Sequence, residues 1–164
     1  MTQEALLAEY QREMATTRRL LERIPAERLE WRPHPKSFTA GGLGAHLVDC
    51  VRWLDAIFRG DELDVDPSTY RPYAATSLDG LLEAFDEAVE AGRRALSSAD
   101  ASTLAAPWRL TVRGRVRLER PRGDVVRDFT LSHGIHHRGQ LSVYLRLLDV
   151  PVPAVYGPTA DESV

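Results

Sequence analysis

Three of the five histidines occur at spacings that could bring their side chains to one point. His133 and His137 are four residues apart, so on a helix they lie on one face, about 40° apart around the axis. His46 occurs in a second helical pattern, again on the apolar stripe. Imidazoles on such stripes are costly to bury unless their nitrogens find partners, and a divalent metal ion would satisfy them. We therefore predict that His46, His133 and His137 bind a metal ion.

The predicted site has the chemistry of an open metal centre. Three neutral imidazoles leave the ion its full positive charge and leave positions for water or substrate, which is typical of catalytic sites. The single cysteine, Cys50, excludes a cysteine-rich zinc module. We expect zinc or nickel first, with iron, manganese or copper as alternatives, because imidazole suits several of these metals. The alternative is that the histidines are hydrogen-bonded residues of an ordinary core.

Four further residues could line or support the site. Asp49, three residues after His46, could accept a hydrogen bond from an imidazole or could be a surface aspartate. His136, at the edge of the stripe, could line the pocket or lie at a dimer surface. Gln140 and Tyr156 complete this set of pocket or supporting residues.

Three other residues have simpler interpretations. Cys50 lies one turn beyond His46 and is interpreted as a small buried hydrophobic residue, with a role as a metal ligand as the less favoured alternative. His34 stands in a proline-rich connection and is expected to be solvated or packed there. Arg138, with Gln140, is expected to hold the last helix against its neighbours.

Four amphipathic helices must position these residues. Apolar residues recur at spacings of three and four in segments 6–24, 43–58, 78–96 and 126–148. The expected helix starts are Thr2, Ser37 or Thr39, a capping box of Thr76 and Asp79, and Gly123 with Asp124; the expected stops are Pro25, Gly60 and Pro151. Residues 61–75 and the tail from Pro153 are expected to be irregular, and residues 108–118 to form a hairpin. The pattern predicts an all-α four-helix bundle with a small β-hairpin between helices three and four.

The composition excludes several classes of protein. The 164 residues suit one domain, and 43% hydrophobic with 27% charged residues is typical of a globular chain. Apolar runs are far shorter than the ~20 residues of a membrane span, and no signal-peptide pattern is apparent, so we expect a cytoplasmic protein without a membrane partner. The formal net charge of −3 argues against a protein built mainly to bind a phosphate backbone.

A dense group of arginines is the feature that fits this interpretation least. Seven arginines fall within nineteen residues: Arg109, Arg113, Arg115, Arg117, Arg120, Arg122 and Arg127. On a hairpin, alternate members would form a basic ribbon that could meet nucleic acid. They could also recognise a carboxylate on a substrate, or form a solvated face balanced by acidic residues elsewhere.

Several segments resemble one known family. Residues 133–141 (HGIHHRGQL) carry the HxxHHRGQL pattern of the DinB/YfiT-like family. Residues 31–37 (WRPHPKS), 44–49 (GAHLVD) and 155–162 (VYGPTADE) are similar to its other motifs, in the same order. The resemblance implies a single DinB-like domain over residues 1–164, often dimeric, with His46, His133 and His137 as metal ligands. It also implies a low-molecular-weight thiol as cosubstrate, since relatives include thiol-dependent transferases and isomerases.

The leading functional hypothesis is a metal-dependent transferase or hydrolase that activates a thiol or water for a small-molecule substrate. No general base can be named, because Gly134 stands where an HExxH metalloprotease would carry glutamate. A non-catalytic binder of a metal or small ligand is the first alternative. A stress- or damage-associated protein that binds nucleic acid through Arg109–Arg127 is the second.

Overall fold

The structure is a computed structural model that describes residues 2–163. The helices are α1 (Gln3–Leu21), α2 (Ala40–Arg59), α3 (Leu78–Ser98), α4 (Ala101–Ala105), α5 (Arg122–Val125) and α6 (His133–Leu147). A 3-10 turn occupies Ala26–Arg28, and a π-helical segment, Val126–Ser132, joins α5 to α6 without a break. The strands are β1 (Glu62–Val65), β2 (Pro107–Val112) and β3 (Arg115–Pro121). The fold is therefore mostly helical with a small sheet.

Side-chain caps set the starts of the long helices. The Thr2 hydroxyl accepts a hydrogen bond from the Ala5 amide, and the Thr39 hydroxyl accepts one from the Gly42 amide. At α3 the cap is Ser77 rather than the predicted Thr76, because it is the Ser77 hydroxyl that accepts from the helix. The fourth predicted helix begins within two residues of the expected position.

The sheet corrects the prediction of an all-α fold. Strand order is β1-β2-β3, with β1 parallel to β2 and β2 antiparallel to β3. The predicted hairpin is confirmed and is longer than expected, with Arg113 and Gly114 at positive φ in its turn. The prediction that residues 61–75 form only a loop is wrong, because β1 lies within them. Its four residues alternate polar and apolar, but this run is short and its partner strand lies more than forty positions away in the sequence.

The core lies between the four long helices and extends beneath the sheet. Helix α2 packs against α3 and α6, and α1 packs against the same two helices. Trp108 of β2 is fully buried and belongs to this core. No helix within residues 2–163 has both the length and the hydropathy needed to cross a membrane.

Gly92 allows α3 to approach α1 and α2 closely, so replacing it by alanine is expected to destabilise the fold. A Cβ at this position would lie 2.4 Å from the Tyr10 hydroxyl and 2.7 Å from a Leu54 methyl. The Tyr10 hydroxyl cannot yield easily, because it is buried and donates to the Val89 carbonyl at 3.0 Å. We expect Gly92→Ala to lower the free energy of unfolding by about 1–2 kcal/mol, the overpacking cost outweighing the gain in helix propensity. Urea denaturation measures the difference.

The matched control is Gly139→Ala on α6. A Cβ there meets nothing within 4 Å, so the same substitution should stabilise by up to about 1 kcal/mol. Equal effects of the two substitutions would contradict the role given to Gly92.

Candidate metal centre

The three predicted histidines come together in the structure. His46 lies on α2, His133 begins α6, and His137 follows one turn later. Their Nε2 atoms are 3.3 Å apart for His46 and His133, 3.1 Å for His46 and His137, and 2.8 Å for His133 and His137. Three ring nitrogens from two helices thus converge on one point, with His137 buried and the other two half-buried.

The π-helical segment aligns the histidines with the rest of their helix. Core-facing residues recur at a constant step of four: Val125, Phe129, His133, His137, Leu141 and Leu145. In an α-helix each step of four overshoots a full turn by about 40°, so five steps would carry the stripe about 200° around the axis. The wider π turn has more than four residues, and a step of four then falls short of a turn. The segment Val126–Ser132 therefore offsets the drift just before His133.

The surroundings favour neutral imidazoles. Burial is the main cause that lowers the pKa of His46 to about 4, and His137 and His133 lower it further. Burial also lowers the pKa of His133 and of His137, in each case with a neighbouring histidine contributing. Each ring is therefore uncharged near neutral pH, which is the form that can bind a metal ion.

Gln140 sets the hydrogen-bonding state of His137. Its Oε1 lies 2.9 Å from His137 Nδ1, and its Nε2 lies 3.1 Å from Nε2 of the exposed His136. An amide oxygen only accepts, so His137 Nδ1 carries the proton and donates it. The lone pair of His137 Nε2 is then directed at His46 and His133. Gln140 thus supports the centre directly, and His136 supports Gln140 from outside.

Cys50 belongs to this neighbourhood, although the sequence favoured a packing role for it over a role as a metal ligand. One ligand atom each from His46, Cys50 and His133 lies within 4.8 Å of the other two, so these three side chains could hold a metal ion. The thiol is buried, and burial together with Asp49 raises its pKa to about 12. The spacing of four residues from His46 on one helix face is the signal that could have revealed it.

Asp49 does not contact the histidines by a hydrogen bond. It is 8% exposed, and its carboxylate accepts from the Tyr73 amide at 3.1 and 3.3 Å. Burial raises the pKa of this carboxyl, while the Tyr73 amide acts in the opposite direction. Both expectations for Asp49 are therefore wrong, because it is neither a surface residue nor hydrogen-bonded to an imidazole. Its carboxylate instead links the segment after β1 to α2.

Tyr156 lies in a separate polar cluster rather than at the histidines. Its hydroxyl donates to a Glu13 carboxylate oxygen at 2.7 Å and accepts from Arg138 Nη2 at 2.6 Å. Arg138 is 2% exposed and also donates to the Glu13 carboxylate at 2.6 Å and to the Glu13 carbonyl at 3.0 Å. The expectation that Arg138 holds the last helix against its neighbours is confirmed, the partner being α1. For Gln140 the same expectation is wrong, because its hydrogen bonds go to His136 and His137 of its own helix.

An apolar cavity of about 350 Å³ adjoins the histidines, and we call it the histidine cavity. It is lined by His46, Asp49, Trp53, Val65, Tyr70, Pro72, Leu110, Val112, Phe129 and His133. The Trp53 and Phe129 rings lie 5.2 Å apart and form an aromatic wall. On another side, the half-exposed Phe38 ring stacks on His46 at 5.3 Å. A small organic molecule in this cavity would lie against two of the three converging imidazoles.

Most of the clustered arginines are paired with acidic residues. Arg109 pairs with Glu62, Arg113 with Asp66, Arg120 with Asp128, Arg122 with Asp61 and Arg127 with Glu9. Arg122 is buried and also donates to the Ile57 and Gly60 carbonyls at 2.8 Å. Arg109 and Arg113 link the hairpin to β1 and the residue that follows it, whereas Arg120 links β3 to the π-helical segment. The pairing agrees with the expectation of a face balanced by acidic residues.

Comparison with known proteins identifies the family. The sequence model of the DinB family matches residues 1–163. The chain belongs to the DinB family. The resemblance seen at residues 133–141 is thereby confirmed. This DinB-family chain is 25% identical over 169 residues to the uncharacterized protein YrdA of Bacillus subtilis (strain 168), covering 98% of this chain and 92% of YrdA.

Solved structures of DinB-like proteins share the fold. One from Bacillus cereus ATCC 10987 superposes with a TM-score of 0.75 at 22% identity, covering 95% of this chain and 100% of that one. The DinB-like protein YjoA of Bacillus subtilis gives a TM-score of 0.66 at 19% identity, covering 88% and 92%. At these identities the likeness concerns the fold alone.

Proposed function

We propose that this DinB-family protein binds one divalent metal ion through Nε2 of His46, His133 and His137. The observation that carries the proposal is the convergence of three ring nitrogens within 3.3 Å of one another. Nitrogens this close repel one another through their lone pairs unless a proton or a cation lies between them. One bridging proton can serve only one pair, whereas a metal ion serves all three.

The donor set suits a metal ion in both spacing and charge. Ligands 2.0–2.1 Å from a tetrahedral zinc ion are about 3.3 Å from one another, and octahedral ligands at that distance are about 2.9 Å apart. The separations of 3.1 and 3.3 Å from His46 fall in this range, and the 2.8 Å between His133 and His137 lies just below it. Zinc or nickel is our first expectation, with iron, manganese or copper as alternatives. Cys50 in place of His137 is the competing ligand set.

We further propose that the centre is catalytic and acts on a small molecule in the histidine cavity. A bound divalent ion would supply Lewis acidity and would lower the pKa of a thiol or water. The chain itself contributes two functions: Gln140 orients His137, and the aromatic wall of Trp53 and Phe129 binds an apolar substrate body. A low-molecular-weight thiol as cosubstrate is carried over from the family resemblance.

The proposal also covers fold, oligomeric state and localisation. We propose that residues 1–164 form one domain and that its four long helices form a four-helix bundle. We propose that the protein is a homodimer, is cytoplasmic and takes part in the stress response. A non-catalytic metal-binding protein would have the same metal site but would show no turnover of substrate.

The pairing of five clustered arginines with acidic residues favours a small-molecule function over nucleic-acid binding.

The metal proposal predicts that the purified protein contains one divalent ion per chain and that His133→Ala does not. Elemental analysis of protein prepared without a nickel column measures this, followed by reconstitution of chelator-treated protein with zinc. We expect the variant to lose more than the 10–100-fold in metal affinity that loss of a supporting residue costs. His34→Ala, which removes an exposed histidine, should keep wild-type metal content.

Wild-type protein that contains no metal and takes up none would contradict the proposal. Cobalt substitution separates the two ligand sets, because a thiolate ligand gives an intense near-ultraviolet charge-transfer band that imidazoles lack. We expect no such band, and we expect Cys50→Ala to retain metal while His137→Ala does not. The opposite pattern would assign the site to Cys50.

A further inference from the structure

Two arginines of the cluster differ from the rest. Within residues 2–163, Arg115 and Arg117 have no acidic side chain at ion-pair distance, whereas the other five clustered arginines each have one. Both are exposed residues of β3. Their charges are therefore available to a ligand.

Strand pairing directs Arg115 to the same side of the sheet as the histidine cavity. Arg115 pairs with Val112, and Leu118 pairs with Leu110. Paired residues of neighbouring strands present their side chains on the same face, and both Val112 and Leu110 line the histidine cavity. Arg117 is two residues from Arg115 and follows the same side, at the position where the register shifts. At this register shift β3 has one extra residue, a β-bulge, and Arg115, Arg117 and Leu118 can therefore all face this side of the sheet.

The arginines line a second cavity that adjoins the first. This arginine cleft, of about 530 Å³, is lined by Pro67, Val112, Arg113, Arg115 and Arg117. Val112 lines both cavities, so the arginine cleft begins where the histidine cavity ends. No acidic residue is among its lining residues, and Asp66 contacts Arg113 from outside this set. A cleft with one sign of charge attracts ligands of the opposite sign.

We propose that the substrate is an amphipathic organic anion whose apolar body occupies the histidine cavity and whose oxyanion binds Arg115 and Arg117. The oxyanion is a carboxylate or a phosphate, because the guanidinium fork pairs with either in a bidentate manner. The apolar body meets Trp53 and Phe129, which form the aromatic wall. This specificity rests on the proposed function, since it concerns the ligand that the catalytic centre would act on.

The test compares charged and neutral ligands of the same shape. The probes are 4-phenylbutyrate, its neutral analogue 4-phenylbutanamide, and 2-phenylethyl phosphate, with binding measured by isothermal titration calorimetry. We expect wild-type protein to bind an anionic probe about tenfold more tightly than the amide. In Arg115→Gln with Arg117→Gln, the anionic probe should bind no better than the amide, while the affinity for the amide stays unchanged.

The matched control is Arg59→Gln with Arg94→Gln, which removes the same charge from exposed arginines on α2 and α3. This control should keep the preference for the anion. All titrations are made on metal-loaded and on chelator-treated protein, so that an anion bound to the metal ion is recognised. A preference that persists without metal and disappears only in the Arg115 and Arg117 variant supports the proposal.

Three results would overturn it. The first is equal affinity for anion and amide in the wild type, and the second is a preference that survives loss of both arginines. The third is salt-dependent binding of a DNA duplex that disappears in the same variant, which would assign these arginines to nucleic acid. Metal content is measured on the same samples, so a missing metal ion refutes the proposed function and a missing anion preference refutes only this specificity.

Discussion

Replacing Arg138 by methionine is expected to lower the free energy of unfolding by about 3–5 kcal/mol, the largest stability effect we expect from one substitution. The guanidinium is almost fully buried and makes an ion pair with Glu13 of α1 at 2.6 Å. Methionine fills much of the same space but leaves the Glu13 carboxylate buried without its cation. At about 2–4 °C per kcal/mol for a chain of this size, the melting temperature should fall by roughly 10 °C. Calorimetry and urea denaturation measure both quantities.

A second variant separates charge from packing. Combining Arg138→Met with Glu13→Leu removes both ions, and replacement of a whole buried pair by apolar residues is often neutral. The double variant should therefore recover most of the lost stability. Arg94→Met, at an exposed arginine paired with Glu90, should cost less than about 1 kcal/mol. A double variant as unstable as Arg138→Met would contradict the explanation by an uncompensated charge.

Deleting Arg127 and Asp128 together is expected to disrupt the metal centre without removing any of its residues. The wider π turn holds an extra residue, so loss of one residue lets the segment Val126–Ser132 become α-helical with both flanks near their positions. Loss of the second residue turns the chain before the segment by about 100° and moves it by about 1.5 Å relative to α6. Both sides are anchored, because Arg122 is hydrogen-bonded to α2 and Arg138 to α1. The core on one side or the histidines on the other must lose their positions.

We expect the two-residue deletion to reduce metal affinity by more than about 100-fold or to cost several kcal/mol of stability. Zinc titration and urea denaturation of the same samples measure these two effects. Arg127→Ala with Asp128→Ala is the control, since it removes only the ion pairs with Glu9 and Arg120 and keeps the register. A deletion variant with wild-type stability and wild-type metal affinity would contradict the role given to the register of this helix.

Much of the helical part of the fold could be predicted because its determinants are local. The apolar stripes, the caps at Thr2 and Thr39 and the stops at Pro25 and Gly60 act within a few residues of each helix end. The sheet could be predicted only where its pairing is local, as in the β2–β3 hairpin. Strand β1 was missed because its partner is distant in sequence and the alternation of polar and apolar residues in Glu62–Val65 is only four residues long.

For the candidate site, the sequence by itself determined the residue types, the one-face spacing of His133 and His137, and the family to which the chain belongs. Only the tertiary structure decided which side chains meet, because the distances between α2 and α6 depend on packing of the whole core. It added Cys50 to the neighbourhood and joined Tyr156 to Glu13 and Arg138. Among the described residues, it also divided the clustered arginines into five with acidic partners and two without, Arg115 and Arg117. Spacing along one helix is set by backbone geometry, whereas contacts between distant segments depend on how all the helices and strands pack together.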